Sequence, residues 1–474
     1  MAAGAGDHGD LVEQKIDKEE VVELMKKMEL GQVPDDEIRR LIKVQLDRRI
    51  RLGYQRTYEQ QTSDVLNFAH SLRGMRNIAT EVDELDAKMY EVPAPFLKLM
   101  YGSKFKESCC YFKDDSTTLD EAEVAMLDLY CERSQIKDGQ RILDLGCGQG
   151  ALTLHIAQKY KNCHVTAITN SRSQKVFIEE QCKIRNLTNV DAILADMTTH
   201  ETQDKYDRIL AIAVIEHMKN YDLLLRKISE WMTPDGLLFI DHLCHKAFAY
   251  NFEPLDKDDW ITEYFFPSGT MTVLSANFLL YFQDDVTIVN HWTVNGKHWA
   301  RTNERWLKNI DDNAEAAKKV MLSCTGSEEA AIKQFNFWRR LNLLGIELLG
   351  YGNGDEWMTS HKNFIHQIAL QYIIRTVFEF PTELHSKSSH FDREITPQVD
   401  DLRVRARNSL PPIQIPLLRG HWPGVLNCRP TVYLIDCGAV AGVPCHQILL
   451  DSVLIVPEFS STNTTLASII IDSQ

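Results

Sequence analysis

The sequence predicts an α/β protein built around a doubly wound, mostly parallel β-sheet. Short apolar runs alternate with amphipathic segments between residues 141 and 245, a pattern typical of parallel sheets covered by helices. The first run enters a loop with glycines at every second position, Gly146, Gly148 and Gly150. Helical patterns precede this region and an aromatic-rich stretch follows it. We therefore expect a Rossmann-like core with an N-terminal helical cap and aromatic-rich insertions.

Composition narrows the classes of partner and compartment. The 474 residues are 44% hydrophobic, which supports a large core, and the net charge of −15 argues against a nucleic-acid partner. No signal-peptide pattern and no membrane-spanning apolar stretch is evident, so the sequence predicts a cytoplasmic protein without stable membrane insertion. The eleven cysteines have no metal-type pairing, and we predict reduced thiols and no bound metal.

The N-terminal part is predicted to be a cap of three helices. Apolar residues recur at helical spacing over residues 17–30, 35–50 and 63–72. We expect the first two helices to pack on the main domain. This region is equally compatible with a homodimer contact or with a lid on a monomer.

The core elements follow in order. Thr118 and Glu121 form a capping-box pattern that starts a helix extending to about Arg133. Residues 233–236, Thr-Pro-Asp-Gly, predict a turn before the last strand. The strands are predicted at 141–145, 164–168, 190–194, 206–214 and 236–242, and the helices between them at 151–160, 171–185 and 219–231.

The glycine loop after the first strand is a candidate ligand cradle. In doubly wound sheets, ligands bind beyond the carboxyl ends of the strands, near a helix N-terminus. The spacing is GxGxG, and Asp144 lies two residues before the first glycine. This combination resembles motif I of S-adenosylmethionine (SAM) dependent methyltransferases, in which a carboxylate faces the methionine amino group. A glycine-rich turn without a ligand is the alternative.

The next two strand ends offer further candidates for nucleoside contacts. Thr169, Asn170 and Gln174 provide neutral groups that can bond ribose hydroxyls, and the absence of an acid there disfavours a nicotinamide cofactor. Asp196 can accept from an adenine amino group and Met197 can pack on the ring. Asp196 as a loop cap is the structural alternative.

The fourth and fifth strand ends carry groups suited to proton handling. Glu216 and His217 place a carboxylate beside an imidazole. Their alternative is a structural pair bonded to the backbone. Polar residues at 241–245 include two histidines and a cysteine, but their irregular spacing gives little support for a metal site.

The C-terminal part is predicted to lie outside the main domain. Its composition shifts near residue 368, and prolines such as Pro411, Pro412 and Pro416 interrupt long elements. Short strand-like runs occur at 432–435 and 448–456. We expect a cap and substrate-side segment at 1–118, a core with substrate-binding insertions at 119–367, and a poorly ordered extension at 368–474.

A long set of motifs resembles plant benzylisoquinoline alkaloid N-methyltransferases, most closely the coclaurine-type members. The similarity covers roughly residues 10–365. It is carried by Cys109-Cys110-Tyr111-Phe112, Leu143-Asp144-Leu145-Gly146-Cys147-Gly148-Gln149-Gly150, Thr169-Asn170-Ser171, Glu216-His217-Met218-Lys219-Asn220, Glu253-Pro254-Leu255-Asp256 and Glu356-Trp357-Met358. The resemblance implies a class I SAM-dependent methyltransferase core and S-adenosylhomocysteine (SAH) as the product of the cofactor.

The resemblance also implies roles for individual residues. The catalytic candidates are Glu91, Glu216 and His217, with both glutamates attracting a substrate ammonium and His217 as general base. The same three residues, with Tyr90, His242, Phe337 and Trp338, are the substrate-binding candidates. The cofactor-binding candidates are Ser108, Asp144, Gly146, Gly148, Thr169, Asn170, Gln174, Asp196, Met197 and Ile212.

The wider family is similar to bacterial cyclopropane fatty-acid synthases, which hold a bicarbonate base with a cysteine, a glutamate, a histidine and a tyrosine. Cys109, Glu216 and His242 match the first three, whereas the tyrosine position falls near Phe337 and Trp338. Losing that hydroxyl favours N-methylation, because an amine lone pair is itself the nucleophile. Lipid cyclopropanation and a non-catalytic SAM-binding protein are the competing classes.

The implied reaction is methylation of the secondary amine of (S)-coclaurine, a small-molecule partner, to N-methylcoclaurine. One departure affects substrate choice. Coclaurine-type enzymes carry a second glutamate three residues before Glu216, where this chain has Ala213, as pavine-type enzymes do. Methylation of tertiary amines of the pavine, tetrahydroprotoberberine or reticuline type is therefore the alternative.

Overall fold

The computed structural model describes residues 18–79, 92–255, 259–265, 271–367, 430–434 and 453–457. Its main feature is a nine-stranded sheet. The strands are β1 (Arg141–Leu145), β2 (His164–Thr169), β3 (Val190–Leu194), β4 (Tyr206–Ile212), β5 (Met232–His245), β6 (Tyr250–Asn251), β7 (Thr272–Ser275), β8 (Val286–Val294) and β9 (Trp357–His366).

Helices precede, cover and follow the sheet. The first four are α1 (Lys18–Glu29), α2 (Asp35–Gly53), α3 (Tyr58–Arg73) and α4 (Ala94–Met100). Those in and around the sheet are α5 (Leu119–Arg133), α6 (Ala151–Lys159), α7 (Arg172–Arg185), α8 (Tyr221–Trp231) and α9 (Trp260–Phe265). The last three are α10 (Lys297–Asp312), α11 (Ala314–Thr325) and α12 (Glu328–Gly350).

The sheet has the strand order β3-β2-β1-β4-β5-β7-β6, and β9 runs antiparallel between β5 and β8. The pairs among β3, β2, β1, β4 and β5 are all parallel. Successive side chains of a strand point to opposite faces. Accordingly, Leu143 and Ile209 pack in a cluster with residues of α8, whereas Ile142 and Leu210 pack with residues of α5 and α6. The predicted doubly wound, mostly parallel α/β fold is confirmed.

Two element boundaries near the site differ from the prediction. Strand β4 ends at Ile212 because Ala213 has φ of 51°, a left-handed conformation that leaves the strand. Strand β5 begins at Met232, before the predicted turn at residues 233–236. In the pairing of β5 with β4, Tyr206 lies opposite Met232, but the next pair is Arg208 with Leu237, so the register shifts between them. The Thr-Pro-Asp-Gly segment is therefore an irregularity within β5 and not a separate turn.

Side-chain caps set the starts of several helices as the sequence suggests. Thr118 and Glu121 form the predicted capping box at α5. Ser171 caps α7 by accepting from the Gln174 amide, and Asn220 caps α8. Each cap satisfies an otherwise unpaired amide of the first turn. These helices consequently begin at fixed positions beside the strand ends.

The N-terminal helices α1 and α2 pack against α12. Arg339 of α12 bonds both carboxylate oxygens of Asp35, at 3.1 and 2.8 Å. Arg49 of α2 donates to Asp259 at 2.7 Å, with both side chains buried. Breaking one partner of such a buried pair is costly, about 3–5 kcal/mol. These contacts hold the cap on the aromatic-rich part of the fold.

Beyond residue 367, the described residues form strands β10 (Pro430–Leu434) and β11 (Val453–Pro457), which pair antiparallel. They overlap the two strand-like runs in the sequence. The other residues of the predicted extension lie outside the described ranges. In the described parts of the chain, no helix is long and apolar enough to cross a membrane.

Candidate active site

A cavity of about 360 Å³ lies beyond the carboxyl ends of the parallel strands. Gly146, Thr169, Ala195 and Ile212, from the ends of four strands, contribute to its wall. Its other side is formed by α10 and α12 and carries the aromatic side chains Trp299, Trp306 and Trp338. One space therefore joins the glycine loop to an aromatic chamber.

The glycine loop approaches its neighbours too closely for side chains. Gly146 and Gly148 have φ of 65° and 53°, in the left-handed region that favours glycine. A Cβ on Gly146 would lie 2.6 Å from Val214 Cγ2, and one on Gly148 would lie 2.4 Å from Glu107 Oε2. The loop backbone thus forms one wall of the cavity directly, as the GxGxG spacing predicts.

Asp144 presents a buried carboxylate to the same cavity. Thr153 Oγ1 donates to its Oδ2 at 2.6 Å. Burial raises the pKa of Asp144 to about 6, because removal from water disfavours the charged carboxylate more than the hydrogen bonds from Thr153 favour it. A carboxylate so placed is suited to hold an ammonium group from a ligand.

The predicted ribose-side and adenine-side groups also line the cavity. Thr169 Oγ1 donates to Gln174 Oε1 at 2.6 Å. Asp196 accepts from the amide and the hydroxyl of Thr198, both at 2.8 Å, which is the loop-cap arrangement considered as its alternative. Met197 is buried beside it. Ser108, Asn170 and Ile212 complete the set of predicted cofactor residues in the wall.

Glu216 lies in a short 3₁₀ turn (Ile215–His217) directly after β4. Its Oε1 accepts from the Leu243 amide at 2.6 Å. Its Oε2 is buried and has no hydrogen-bond partner among the described residues. Burial raises the pKa of Glu216 to about 8. The residue is 4% exposed and lines the cavity, so it offers an incompletely satisfied carboxyl group to a ligand.

His217 lies beside Glu216 in the wall, and its pKa moves in the opposite direction. Burial, with a smaller contribution from the Lys219 ammonium, lowers the pKa of His217 to about 4. The imidazole is therefore neutral at physiological pH. An imidazole in water titrates near neutral pH, and the pKa is lower here because burial disfavours the charged form.

Two predicted substrate-binding residues, His242 and Phe337, are not brought to the cavity. His242 is buried outside the wall, with Nδ1 2.9 Å from Leu243 O and Nε2 3.1 Å from Lys362 Nζ. Phe337 packs on Tyr264 and Phe265 instead. Its neighbour Trp338 does line the cavity. Tyr90 and Glu91 lie outside the described residues.

The three residues that match the bicarbonate-holding set, Cys109, Glu216 and His242, do not come together in the cavity wall. Of the three, Glu216 alone contributes to the cavity lining. Cys109 is buried, with Sγ 3.5 Å from the Cys110 carbonyl oxygen, and burial raises the pKa of its thiol. In the described part of the chain, no group of three or more His, Cys, Asp or Glu side chains is arranged to hold a metal ion.

Several wall residues were not identified from the sequence. Lys106, Glu107, Tyr130, Asn303 and Trp306 all line the cavity. Lys106 and Glu107 directly precede Ser108, and this proximity was the one local signal available. Trp306 lies in an amphipathic helix, where the sequence pattern does not distinguish core aromatics from cavity aromatics. The indole nitrogens of Trp306 and Trp338 are buried without hydrogen-bond partners among the described residues.

Comparisons with known proteins agree with this geometry. The family model described as mycolic acid cyclopropane synthetase matches residues 79–328. The chain is 63% identical over 345 residues to (S)-coclaurine N-methyltransferase of Thalictrum flavum subsp. glaucum, covering 73% of this chain and 95% of that one. It is 55% identical to pavine N-methyltransferase of the same plant, covering 73% and 97%.

A solved structure is similar over the same part of the chain. It is a coclaurine N-methyltransferase bound to N-methylheliamine and SAH, 62% identical, with a TM-score of 0.72. The match covers 73% of this chain and 99% of that one. The similarity thus extends over nearly the whole length of the relative.

Proposed function

This chain belongs to the mycolic acid cyclopropane synthetase family and, within it, to the (S)-coclaurine N-methyltransferases and their relatives, and we propose that it transfers a methyl group from SAM to the nitrogen of a benzylisoquinoline alkaloid. The preferred substrate in this proposal is (S)-coclaurine, a secondary amine. The identity of 63% over nearly the full length of a relative with that name supports the choice.

One observation of this structure carries the proposal. A single cavity joins the glycine loop and Asp144 to Glu216 and His217, and continues to the aromatic wall of α10 and α12. This arrangement can hold a charged nucleoside derivative at one end and a flat, cationic molecule at the other.

The residues around the glycine loop fit SAM. The backbone of Gly146 and Gly148 leaves room for close approach, and the Asp144 carboxylate can bond the methionine ammonium. Asp196 and Met197 lie at the end of β3, where an adenine would be placed. SAM supplies a methyl group bonded to a positively charged sulfur, which an amine lone pair can attack.

Glu216 and His217 are proposed to handle the substrate proton. A secondary amine arrives largely protonated and must lose a proton before its lone pair can attack. His217 is neutral and can accept the N–H from the start, as the general base. Burial raises the pKa of Glu216 to about 8, so this carboxyl group is largely protonated at neutral pH in the free site. A bound ammonium favours its ionised form, which attracts that charge and is a stronger proton acceptor than His217. The two side chains are therefore proposed to accept the proton that leaves the nitrogen. On the resemblance alone, Glu91 is proposed as a further carboxylate that attracts the ammonium.

The aromatic wall is proposed to hold the isoquinoline rings. Phe252, Trp299, Trp306 and Trp338 all contribute to the cavity lining. Such side chains supply flat apolar surface and attract cations through their ring faces. Holding nitrogen, methyl carbon and sulfur in line can contribute several kcal/mol, so positioning by these residues accounts for a large part of the proposed rate enhancement.

Ala213 leaves open which amines are accepted. Its methyl side chain lines the cavity three residues before Glu216. A glutamate there would add a second negative charge and reduce the space beside the nitrogen. We therefore extend the proposal to tertiary amines of the pavine and tetrahydroprotoberberine type as secondary substrates.

The test is methyl transfer from labelled SAM by the full-length chain. The panel contains coclaurine, reticuline, a pavine and a tetrahydroprotoberberine, with an unsaturated phospholipid as the control for cyclopropanation. Transfer to coclaurine with the highest kcat/KM supports the preferred substrate. Transfer confined to tertiary amines would replace coclaurine by that class. Absence of transfer to every amine would contradict the proposal.

We further propose that residues 368–474 form an extension that the reaction does not require. The relatives match this chain over 73% of its length while 95–97% of their own length is covered. Strand β9, which ends at His366, is the last described strand of the nine-stranded sheet. A chain ending at residue 367 should retain the kcat of the full chain within about threefold. Loss of activity in a truncated chain that is still folded, as shown by a cooperative unfolding transition, would contradict this.

A further inference from the structure

Lys362 is a buried cation of β9 to which the proposed reaction assigns no role. The residue is completely buried, its Nζ donates to Ser360 Oγ, and the same atom lies 3.1 Å from His242 Nε2. Neither partner carries a negative charge. A buried charge without a bonded countercharge costs stability, and an apolar side chain of similar length would avoid that cost. The ammonium is therefore explained better by what it holds in place than by a contribution to stability.

The contacts of His242 fix both its tautomer and its charge. A backbone carbonyl can only accept, so Nδ1, which lies 2.9 Å from Leu243 O, carries the ring proton. An ammonium can only donate, so Nε2 is the acceptor for Lys362 Nζ. Burial, with a smaller contribution from the Lys362 ammonium, lowers the pKa of His242 well below its usual range. His242 is therefore a neutral imidazole that donates through Nδ1 and accepts through Nε2.

Leu243 is the residue that His242 holds. It lies in a gap beside β5, because the pairing with β4 ends at Asp241 and the pairing with β7 begins at Cys244. In this gap the Leu243 amide donates to Glu216 Oε1 at 2.6 Å, while the Leu243 carbonyl oxygen accepts from His242. Both backbone polar groups of Leu243 are thus bonded to side chains, and one of these is the candidate proton acceptor of the cavity.

Two further strands hold the Lys362 ammonium itself. Ser360 accepts from Lys362 and lies opposite His242 in the pairing of β9 with β5. Its Oγ is 2.9 Å from Nε2 of His291 on β8, and His291 lies opposite Lys362 in the pairing of β8 with β9. These polar side chains therefore share one face of three adjacent strands. The sheet fixes the position of the ammonium, and the ammonium fixes the imidazole.

We propose that Lys362 and His242 are positioning residues that hold the Glu216 carboxylate in the active site. They act through Leu243, since Glu216 and Leu243 line the cavity whereas the other two do not. The inference rests on the proposed function, in which Glu216 receives the substrate proton. Without the Lys362 contact, His242 can carry its proton on Nε2 instead. A lone pair on Nδ1 then faces the Leu243 carbonyl oxygen, and this repulsion loosens the residue that holds Glu216.

The first test uses two substitutions of His242 that place an amide at different positions. In H242N the side-chain NH₂ lies near the position of Nδ1 and can still donate to Leu243 O, whereas the longer H242Q amide replaces Nε2 and leaves that oxygen without its donor. In the full-length chain, we expect kcat on coclaurine to fall about 10- to 100-fold in H242Q and less than about fivefold in H242N, because a displacement of about 1 Å can cost 100-fold. Equal losses in both variants, or no loss in H242Q, would overturn the inference.

The second test removes the ammonium while keeping the length of the side chain. K362M should leave the free energy of unfolding unchanged or higher, because an apolar group replaces a buried charge. We expect its kcat to fall about tenfold, with the dissociation constant of SAH within about threefold of wild type. A lower free energy of unfolding together with weaker SAH binding would show a merely structural role and overturn the inference, as would an unchanged kcat. The two His242 variants decide the question if K362M fails to fold.

A double-mutant cycle shows whether the effect passes through Glu216. In E216Q the proton acceptor is absent, so its exact position no longer matters. We therefore expect kcat of E216Q/H242Q to stay within about threefold of E216Q alone, because two residues that act through one group are not additive. Losses that multiply in the double variant would mean that His242 acts by another route, and would overturn the inference.

A measurement without turnover separates this inference from the proposed function. Nitrogen NMR on the full-length chain with isotopically labelled histidine reports the tautomer of each imidazole, and H242N identifies the signals of His242. We expect a proton on Nδ1 in wild type and a mixture of tautomers in K362M. Wild type with this tautomer but without methyl transfer to any amine would contradict the proposed function and support the contacts inferred here. Methyl transfer by a wild type that carries the proton on Nε2 would overturn the inference and keep the proposed function.

Discussion

The Glu216 carboxylate accepts a 2.6 Å hydrogen bond from the backbone amide of Leu243, and this bond joins the turn after β4 to the end of β5. One carboxylate oxygen is thereby fixed while the other is buried without a hydrogen-bond partner in the described structure. Such an incompletely satisfied group costs stability. A substrate ammonium beside Glu216 would supply the missing partner.

Replacing Glu216 by glutamine should remove the proton acceptor and keep the shape. The amide oxygen of Gln can still accept from Leu243, so E216Q should fold and bind SAH with wild-type affinity. We expect kcat to fall about 10²- to 10⁴-fold, the usual range for general acid–base groups. Methyl-transfer kinetics on coclaurine, with SAH calorimetry as control, measure both. A kcat within threefold of wild type would exclude Glu216 from proton handling.

The raised pKa of Glu216 also predicts how stability depends on pH. The folded state binds this proton more tightly than the unfolded chain, because the pKa rises from 4.5 to about 8. The contribution of Glu216 to the free energy of unfolding is therefore fully present below pH 4.5 and is lost as pH rises through about 8. Other buried acids titrate in this window, so the informative quantity is the difference between wild type and E216Q. That difference should favour E216Q increasingly from pH 5 to 9 in denaturant titrations, and a constant difference would contradict the shift.

His217 should be required for turnover but not for cofactor binding. H217A removes the neutral acceptor proposed to contact the substrate N–H, and we expect kcat to fall about 10²-fold or more. The dissociation constant of SAH should remain within twofold of wild type. Because burial lowers the pKa of His217 to about 4, wild-type kcat/KM should show no His217 limb between pH 6 and 8. Unchanged turnover in H217A would show that this imidazole is not the base.

The sequence was sufficient for the parts of the fold with regular patterns. Strands β1 and β3 begin and end where their apolar runs do, and the capping box at Thr118 starts α5 as predicted. Glycine spacing located one wall of the cavity. These features depend on local residue order, which periodicity and turn chemistry report directly.

Long-range features were not accessible in the same way. Strand β9 inserts antiparallel beside β5 and buries His361, Lys362 and Asn363 completely. Because these residues are polar, the sequence lacks the apolar pattern by which a buried strand is predicted. Lys106 reaches the cavity because Glu123 of α5 fixes its backbone, a contact between distant residues. His242 was expected in the site, but Lys362 from β9 engages its Nε2 instead.

The glycine loop offers a prediction with a matched control. G146A combines a left-handed residue with a Cβ 2.6 Å from Val214 Cγ2, whereas G139A adds a Cβ at φ of 89° with no atom within 4 Å. Backbone strain alone should cost G139A about 1–2 kcal/mol of unfolding free energy. Overpacking should cost G146A about 1–3 kcal/mol more, and should weaken SAH binding in G146A but not in G139A. Equal losses in both variants would show that the close approach of Val214 carries no penalty.

At Ala213, different substitutions can separate the effect of backbone conformation from the effect of the side chain. It is a non-glycine residue at φ of 51° that lines the cavity at the end of β4. A213G relieves the left-handed strain and should raise the free energy of unfolding by about 1 kcal/mol, with little change in the ratio of activities on secondary and tertiary amines.

A213E keeps the strain and introduces the carboxylate that coclaurine-type sequences are expected to carry. A second negative charge beside Glu216 attracts an ammonium that can donate an N–H, and its bulk opposes a fully substituted nitrogen. We therefore expect the ratio of kcat/KM for coclaurine over a tertiary pavine to rise at least tenfold, which corresponds to about 1.4 kcal/mol of discrimination. A213Q, of similar size and without charge, separates the two causes, because a steric effect would appear equally in both variants. An unchanged ratio in A213E would mean that substrate choice is set elsewhere, in the aromatic wall of α10 and α12.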